Sequence, residues 1–309
     1  MRDLHELPKL RDGLSYLYVE HCKIDQDAKS ISFHDAEGKV PVPCASLALL
    51  MIGPGTSITH AAIRALAENG CLVIWCGEEG TRFHAQGMGE TRSAERLLKQ
   101  ARLCSDSELR LKVVKRLYCM RFTEVLPEDI TLQQIRGKEG IRVRETYTKA
   151  SRETGIPWKG RAYKRDDWNS SDPVNRALSA ANACLYGICH AAIVSLGYSP
   201  GLGFIHTGKL LSFVYDIADL YKVDITIPAA FRAAAIPGGN FEKEVRVACR
   251  NTFKEAKLLE RIADDIEKAL DVGIDLSKSV EDEEFDEDGA KPGGFWDPAG
   301  EVEGGLNYG

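Results

Sequence analysis

Two aspartates three residues apart, Asp216 and Asp219, are the first feature of this 309-residue sequence that could do chemistry. They stand in Ser212-Phe-Val-Tyr-Asp-Ile-Ala-Asp219, directly after Gly203-Phe-Ile-His-Thr-Gly-Lys209. Read as a loop feeding a helix near Lys209, the stretch puts Leu210, Leu211, Val214, Ile217, Ala218 and Tyr221 on one face. Both aspartates fall on the opposite face. Adjacent carboxylates repel unless something positive lies between them. A divalent cation would serve, and so would the flanking Lys209 and Lys222. His206, just before the helix, could reach the same spot. A solvated face or an ion-pair network explains the same spacing.

Glu139 is a second candidate. It is a single acid among Arg136, Lys138, Arg142 and Arg144, with Gly137 and Gly140 beside it. Glycines admit close backbone approach. Such an acid either neutralises its basic neighbours or ligates a metal in a phosphate site. Carboxylates plus one imidazole suit Mg²⁺ or Mn²⁺. Such an ion polarises a phosphoryl oxygen, while nearby arginines hold a nucleic-acid backbone. Spacing alone does not connect Glu139 to His206 and the aspartates.

The elements that must position these residues change character along the chain. In residues 1–88, Leu14–Ile24, Ser30–Phe33 and Leu72–Trp75 are β-rich runs separated by turn residues. One helix interrupts them, from Thr59 to the Asn69-Gly70 stop. From about residue 91 the period becomes helical. Arg92–Cys104 places Ala94, Leu97, Leu98, Ala101 and Cys104 on one face. Ser107–Phe122 places Leu109, Val113, Leu117 and Met120 inside. Asp172-Pro173 starts a helix whose stripe runs Val174, Leu178, Ala181, Leu185, Ile188, Ala192, Leu196 before Gly197. Further helices are expected over Leu210–Lys222 and Glu242–Leu270. The fold class is therefore α+β: a β-rich N-terminal domain (1–88), a larger all-α catalytic domain (89–275) and a tail (276–309).

Charge is unevenly placed. The whole chain carries −6, but residues 276–309 hold ten acids against two bases, which leaves residues 1–275 at +2. Thr91–Arg165 holds 19 Lys/Arg against nine Asp/Glu, a net of +10. Concentrated positive charge favours a polyanion partner. The acidic, Gly/Pro-rich tail offers little to bury and is expected to lack structure, although Phe295 and Trp296 could dock. Nine scattered cysteines form no C-x-x-C pair. Cys184-x4-Cys189-His190, the nearest approach to a metal cluster, reads better as a buried helix face. No stretch was expected to approach a membrane span of about 20 apolar residues, and the first residues lack a signal-peptide core. The expected location is the cytoplasm.

Taken together, several motifs resemble the CRISPR-associated integrase family Cas1, within it the subtype I-E branch. They are Gly53-Pro-Gly-Thr with His60-Ala-Ala, Cys76-Gly-Glu-Glu-Gly, Leu109-Arg-Leu-Lys-Val-Val, Arg136-Gly-Lys-Glu-Gly-Ile-Arg-Val-Arg, Gly203-Phe-Ile-His-Thr-Gly-Lys and Ser212-Phe-Val-Tyr-Asp-Ile-Ala-Asp. The resemblance runs from Leu10 to about Leu270. It implies that Glu139, His206 and Asp219 converge on one Mg²⁺ or Mn²⁺, with Asp216 in support. It implies a homodimer, two of which clamp a dimer of the small Cas2 protein in a hetero-hexamer. It also implies that prespacer DNA is inserted into a CRISPR repeat by 3′-hydroxyl transesterification, with cutting of branched DNA as a related activity. A stand-alone nuclease on branched DNA and a non-catalytic DNA-binding protein are the competing readings. Matched positions that would contact double-stranded DNA are Arg64, Arg82, Lys222, Arg246 and Arg250, with Tyr163 and Tyr186 able to stack on bases. Two positions depart from the family pattern: His21 stands where a wedge tyrosine can occur, and Ser57 where an arginine can.

Overall fold

The structure is a computed structural model, and it describes residues 9–10, 14–28, 30–87, 94–127, 129–161, 172–236, 241–273, 295–297 and 300–302. Its N-terminal layer follows from short β-rich runs separated by turn residues. The strands are β1 (Lys9–Leu10), β2 (Leu14–Val19), β3 (Lys23–Asp27), β4 (Ser30–Asp35), β5 (Gly38–Pro43), β6 (Leu49–Ile52), β7 (Ser57–Ile58), β8 (Leu72–Cys76) and β9 (Phe83–Gly87). They form a five-stranded sheet, β1-β2-β6-β8-β9, and a four-stranded sheet, β5-β4-β3-β7. β6 lies parallel to β2 and β8, with Leu50 opposite Leu17 and Val73. The single expected strand Leu14–Ile24 divides between the two sheets. The chain turns at His21, whose φ is 53°.

β6 is buried at every residue because both of its faces are covered. Leu50 and Ile52 pack with Leu17, Ile24, Ile31, Val73 and with Ala62 and Leu66 of helix α1 (His60–Glu68). Leu49 and Met51 face the other way, with Leu72, Ile74 and Cys76, into the core of the helices. The N-terminal strands end at Gly87 and α2 begins at Glu95, yet the sheet contributes to both cores.

The helices are α2 (Glu95–Ser105), α3 (Ser107–Cys119), α4 (Leu132–Thr154), α5 (Pro173–Ser195), α6 (Ser212–Ala218), α7 (Ile227–Ala234), α8 (Phe241–Glu255) and α9 (Leu258–Leu270). α5 is the axis, touching α6, α7, α8 and α9 as well as β8 and β9. Asp172 caps it through the Asn175 amide, with Pro173 in the first turn. By length and composition α5 could cross a bilayer, contrary to the expectation from the sequence, but 61% of its apolar window is buried inside the protein. Cys184 and Cys189 lie in that packing, 1% and 0% exposed. His190 stacks on Phe83 of β9 at 3.7 Å, and burial lowers its imidazole to about 4, so it packs as a neutral ring.

Four sequence expectations need correction. α2 buries Gln100 and Leu103, both 0% exposed, while Leu97 and Leu98 are exposed. The cause is polar: the Gln100 amide donates to the carbonyls of Ser199 and Leu202 and accepts from the Ser199 amide. The helix expected from Leu210 begins at Ser212, leaving Leu210 87% exposed. It ends at Ala218 and is followed by a π-helical turn, Lys222–Thr226. The last helix is broken into α8 and α9 at Lys257, which takes a left-handed φ of 46°. In the tail, Phe295–Asp297 (β10) pairs antiparallel with Gly300–Val302 (β11). Asp297 and Gly300 at its closed end are turn formers.

Gly187 of α5 lies against the Arg82 backbone, where an added Cβ would meet Arg82 Cα at 2.8 Å. Overpacking costs about 1–3 kcal/mol, against about 1 kcal/mol gained in helix propensity. Gly187→Ala is therefore expected to lower stability by about 1 kcal/mol in urea unfolding. A gain in stability would show that α5 and the Arg82 turn separate easily.

Candidate active site

Asp216 does not share an exposed face with Asp219. Its carboxylate is 0% exposed, and it points from α6 into the Gly203–His206 loop. There it accepts the backbone N–H groups of Phe204 at 2.6 Å, Ile205 at 3.1 Å and His206 at 2.9 Å. Its Oδ1 is also 2.7 Å from His206 Nδ1. Buried anions persist when donors surround them, and this one folds the loop around itself. Glycine is required at 203, because a Cβ would fall on the His206 carbonyl and lie 2.6 Å from Ser212 Cβ. α2 and α3 hold the outside of the loop. Arg110 donates to the Gly203 and Phe204 carbonyls, and the Cys104 thiol to Gly203.

With Nδ1 tied to Asp216, His206 turns Nε2 toward Asp219 Oδ2, 3.9 Å away. Asp219 caps the C-terminus of α6. Lys222 Nζ lies 2.6 Å from its Oδ1. Glu139 comes from α4, whose start is fixed by a Thr131/Gln134 capping box. Arg142, one turn on, holds Glu139 with two bonds of 2.9 and 3.1 Å. Gly137 and Gly140 flank Glu139 inside the helix, where each costs about 1 kcal/mol against alanine. No atom lies within 4 Å of a Cβ added at Gly137, and only the Arg144 guanidinium approaches one at Gly140. That space is open toward the surface.

Arg121 joins the two halves. It follows α3, its side chain is 5% exposed, and its Nη1 is 3.3 Å from Glu139 Oε1 while Nη2 is 3.5 Å from Asp219 Oδ2. Sequence reasoning missed it. A signal existed: Leu109, Val113, Leu117 and Arg121 are successive i+4 positions, so a charge lies on the line of the buried stripe. Tyr215 was missed too. Its ring packs edge-on against Tyr186 at 5.0 Å and His206 at 5.8 Å.

The structure thus brings His206, Asp216 and Asp219 together and sets Glu139 across Arg121 from Asp219. Among the described residues, no three His, Cys, Asp or Glu side chains converge closely enough to hold a metal ion as they stand. The donor types do suit a hard divalent cation: two carboxylates and an imidazole whose free nitrogen faces one of them. The space between the carboxylates is taken by a buried guanidinium whose Nε and Nη2 make no hydrogen bond among the described residues. The fit is one of donor chemistry, with a protein cation now in the middle.

The expected DNA contacts are dispersed. Lys222 belongs to the site. Burial opposes its charge, but Asp219 and Tyr186 outweigh that and hold the ammonium above its ordinary value. Its Nζ lies 5.0 Å over the Tyr186 ring. Arg82 and Arg246 both act on Cys184, whose thiol burial pushes up to about 11. Arg250 is half-buried on α8. Arg64 is remote, exposed on α1 and 3.5 Å from Glu68. Tyr163 lies outside the described residues. Ser57 is exposed on β7, and the His21 ring occupies the space a side chain at Gly55 would need.

Known proteins resemble this chain over nearly all its length. The family described as "CRISPR associated protein Cas1" matches residues 15–125 and 118–261. A CRISPR-associated endonuclease Cas1 of Thermus thermophilus is 58% identical over 308 residues, covering 100% of this chain and 94% of that one. The CRISPR-associated endonuclease Cas1 of Escherichia coli K12 is 42% identical, covering 87% and 88%. A crystal structure described as a TtCas1–DNA complex aligns with a TM-score of 0.81 at 58% identity, over 87% of this chain and 100% of that one.

The hydrogen bond that the imidazole donates to Asp216 raises the His206 pKa, with Asp219 adding to it and burial and Lys222 opposing. A raised folded-state pKa contributes stability that is full below the unfolded value of about 6.5 and fades as pH rises through the folded value. Metal-free protein is therefore expected to lose this contribution above about pH 6.5 in unfolding titrations. Asp216→Asn should flatten that slope, leaving the smaller contribution of Asp219, and destabilise the fold by about 1–3 kcal/mol. An unchanged slope in the variant would show that another group titrates.

Proposed function

The chain belongs to the CRISPR-associated Cas1 family, and from that premise we propose that it is a divalent-metal-dependent DNA endonuclease and integrase, of the subtype I-E kind, acting in CRISPR adaptation. The observation that carries this reading is the convergence of His206, Asp219 and the buried Asp216 opposite Glu139, within a surround supplied by Arg121, Arg142 and Lys222. Phosphodiester chemistry requires charge to be offset at the phosphoryl oxygens and at the entering and leaving oxygens.

Glu139, His206 and Asp219 would hold Mg²⁺ or Mn²⁺. The bound ion would polarise the phosphoryl group and offset developing charge. Asp216 orients the imidazole and fixes which nitrogen is free. Lys222 and Arg142 would receive phosphates without reading sequence. Tyr186 and Tyr215 offer ring faces and edges beside His206, where a nucleotide at a DNA end could stack. A prespacer 3′-hydroxyl oxygen attacks the phosphorus at a repeat boundary. The hydroxyl gives up its proton to solvent as the new P–O bond forms, and the old 3′-oxygen leaves and takes up a proton. No covalent protein–DNA intermediate is needed, so the side chains mainly position the reactants.

The same reading includes double-stranded and branched DNA as substrates, a homodimer, assembly of two dimers on a Cas2 dimer, and a cytoplasmic location without membrane partners. The resemblance to a protein crystallised with DNA supports the first of these.

The test is strand transfer from a labelled prespacer into a repeat-containing duplex, with Mg²⁺ or Mn²⁺ and with the small partner protein present. Chelation should stop the reaction, and Glu139→Ala or Asp219→Ala should slow it about a hundredfold or more. Full activity in both variants would leave a DNA-binding protein without catalysis at this site. Cut but unjoined products would indicate a stand-alone nuclease.

A further inference from the structure

Arg121 is the member of the site that the reaction above does not use. It is anchored by the Tyr118 ring, which lies 4.7 Å from its Cζ. Its bond to Glu139 is 3.3 Å and its approach to Asp219 is 3.5 Å, both long for charge-assisted contacts. Among the described residues its Nε and Nη2 make no hydrogen bond, although both are buried. A guanidinium placed for hydrogen bonding would fill its five N–H donors. This one sits where charge demands it, between carboxylates carried by α4 and by the C-cap of α6. Glu139 keeps a second partner in Arg142 and Asp219 keeps one in Lys222, so neither needs Arg121 alone. The long Nη2 approach to Asp219 is the weakest link and the one with least to lose.

We infer that Arg121 is a positioning residue that takes the place of a divalent cation between Glu139 and Asp219 when none is bound, and withdraws from it when one arrives. The inference rests on the metal reading above. A protein cation there limits carboxylate repulsion and keeps the ligands near one another. A divalent cation must then compete with it, so the site binds metal more weakly than its donors alone would.

The experiment uses the full chain without DNA. Free Mn²⁺ is followed by electron paramagnetic resonance, and the unfolding midpoint is measured in chelator and in saturating Mn²⁺. Arg121→Gln is expected to bind Mn²⁺ roughly tenfold more tightly than the wild type. It should melt lower in chelator and gain more on adding Mn²⁺. Arg121→Lys, which keeps the charge but reaches only one carboxylate, should fall between them. Equal or weaker Mn²⁺ binding in Arg121→Gln, with a lower midpoint, would overturn the inference and leave Arg121 a packing residue. Should Arg121→Gln fail to fold, Arg121→Lys decides: binding tighter than the wild type supports the inference, and equal or weaker binding overturns it. A folded wild type that binds no Mn²⁺ is a separate result, and it would overturn the metal reading together with the inference.

Discussion

The site depends on one buried anion. Asp216 is fully removed from solvent, and an uncompensated carboxylate there would cost several kcal/mol. Three consecutive backbone amides and one imidazole surround it. Those donors are available only if residues 204–206 curl around α6. The carboxylate therefore dictates the loop, and the loop dictates where His206 stands. Arg110, Cys104 and Gln100 grip the loop from α2 and α3 through its carbonyls. The N–H groups of residues 204–206 are satisfied from inside, and the Gly203 and Phe204 carbonyls from outside.

Charge balance accounts for the rest of the geometry. Glu139, Asp216 and Asp219 would repel one another if left unscreened. Each has its own compensation instead. Arg142 forks onto Glu139, Lys222 caps Asp219, and Asp216 uses backbone dipoles with His206. Arg121 ties the Glu139 half to the Asp219 half. Lys222 lies in the π-helical turn, which brings it one turn beyond Asp219 and over Tyr186. The turn is held in place by Thr226 on Asn182 of α5. Site electrostatics and the packing of the central helix are thus connected through ordinary hydrogen bonds.

The scaffold beneath is a sheet with two occupied faces. Alternation along β6 and β8 sends Leu50, Ile52 and Val73 to one core and Leu49, Met51, Leu72 and Ile74 to the other. α5 lies across the second face and carries Tyr186 to the site, while Gly187 lets it approach the Arg82 turn. Burial of 61% of its apolar window inside the protein accounts for the apolar composition of α5.

Much of this was legible in the sequence. β-rich and helical runs determine β4, β8, α1, α3 and α5, and Asp172-Pro173 and Thr59 mark helix starts, because local backbone preference and capping act over a few residues. Residue type made Glu139, His206, Asp216 and Asp219 candidates. Three things were decided only by tertiary structure. The face of α2 was set by Gln100 reaching a loop about 100 residues away, which no local period encodes. Asp216 and Asp219 parted because the loop offered one of them a buried ring of donors. Arg121 entered the site because the end of α3 meets α4 and α6 in space. The two aspartates, three residues apart on the line of sequence, became different groups when one was buried among amides and the other was left facing two cations and an imidazole.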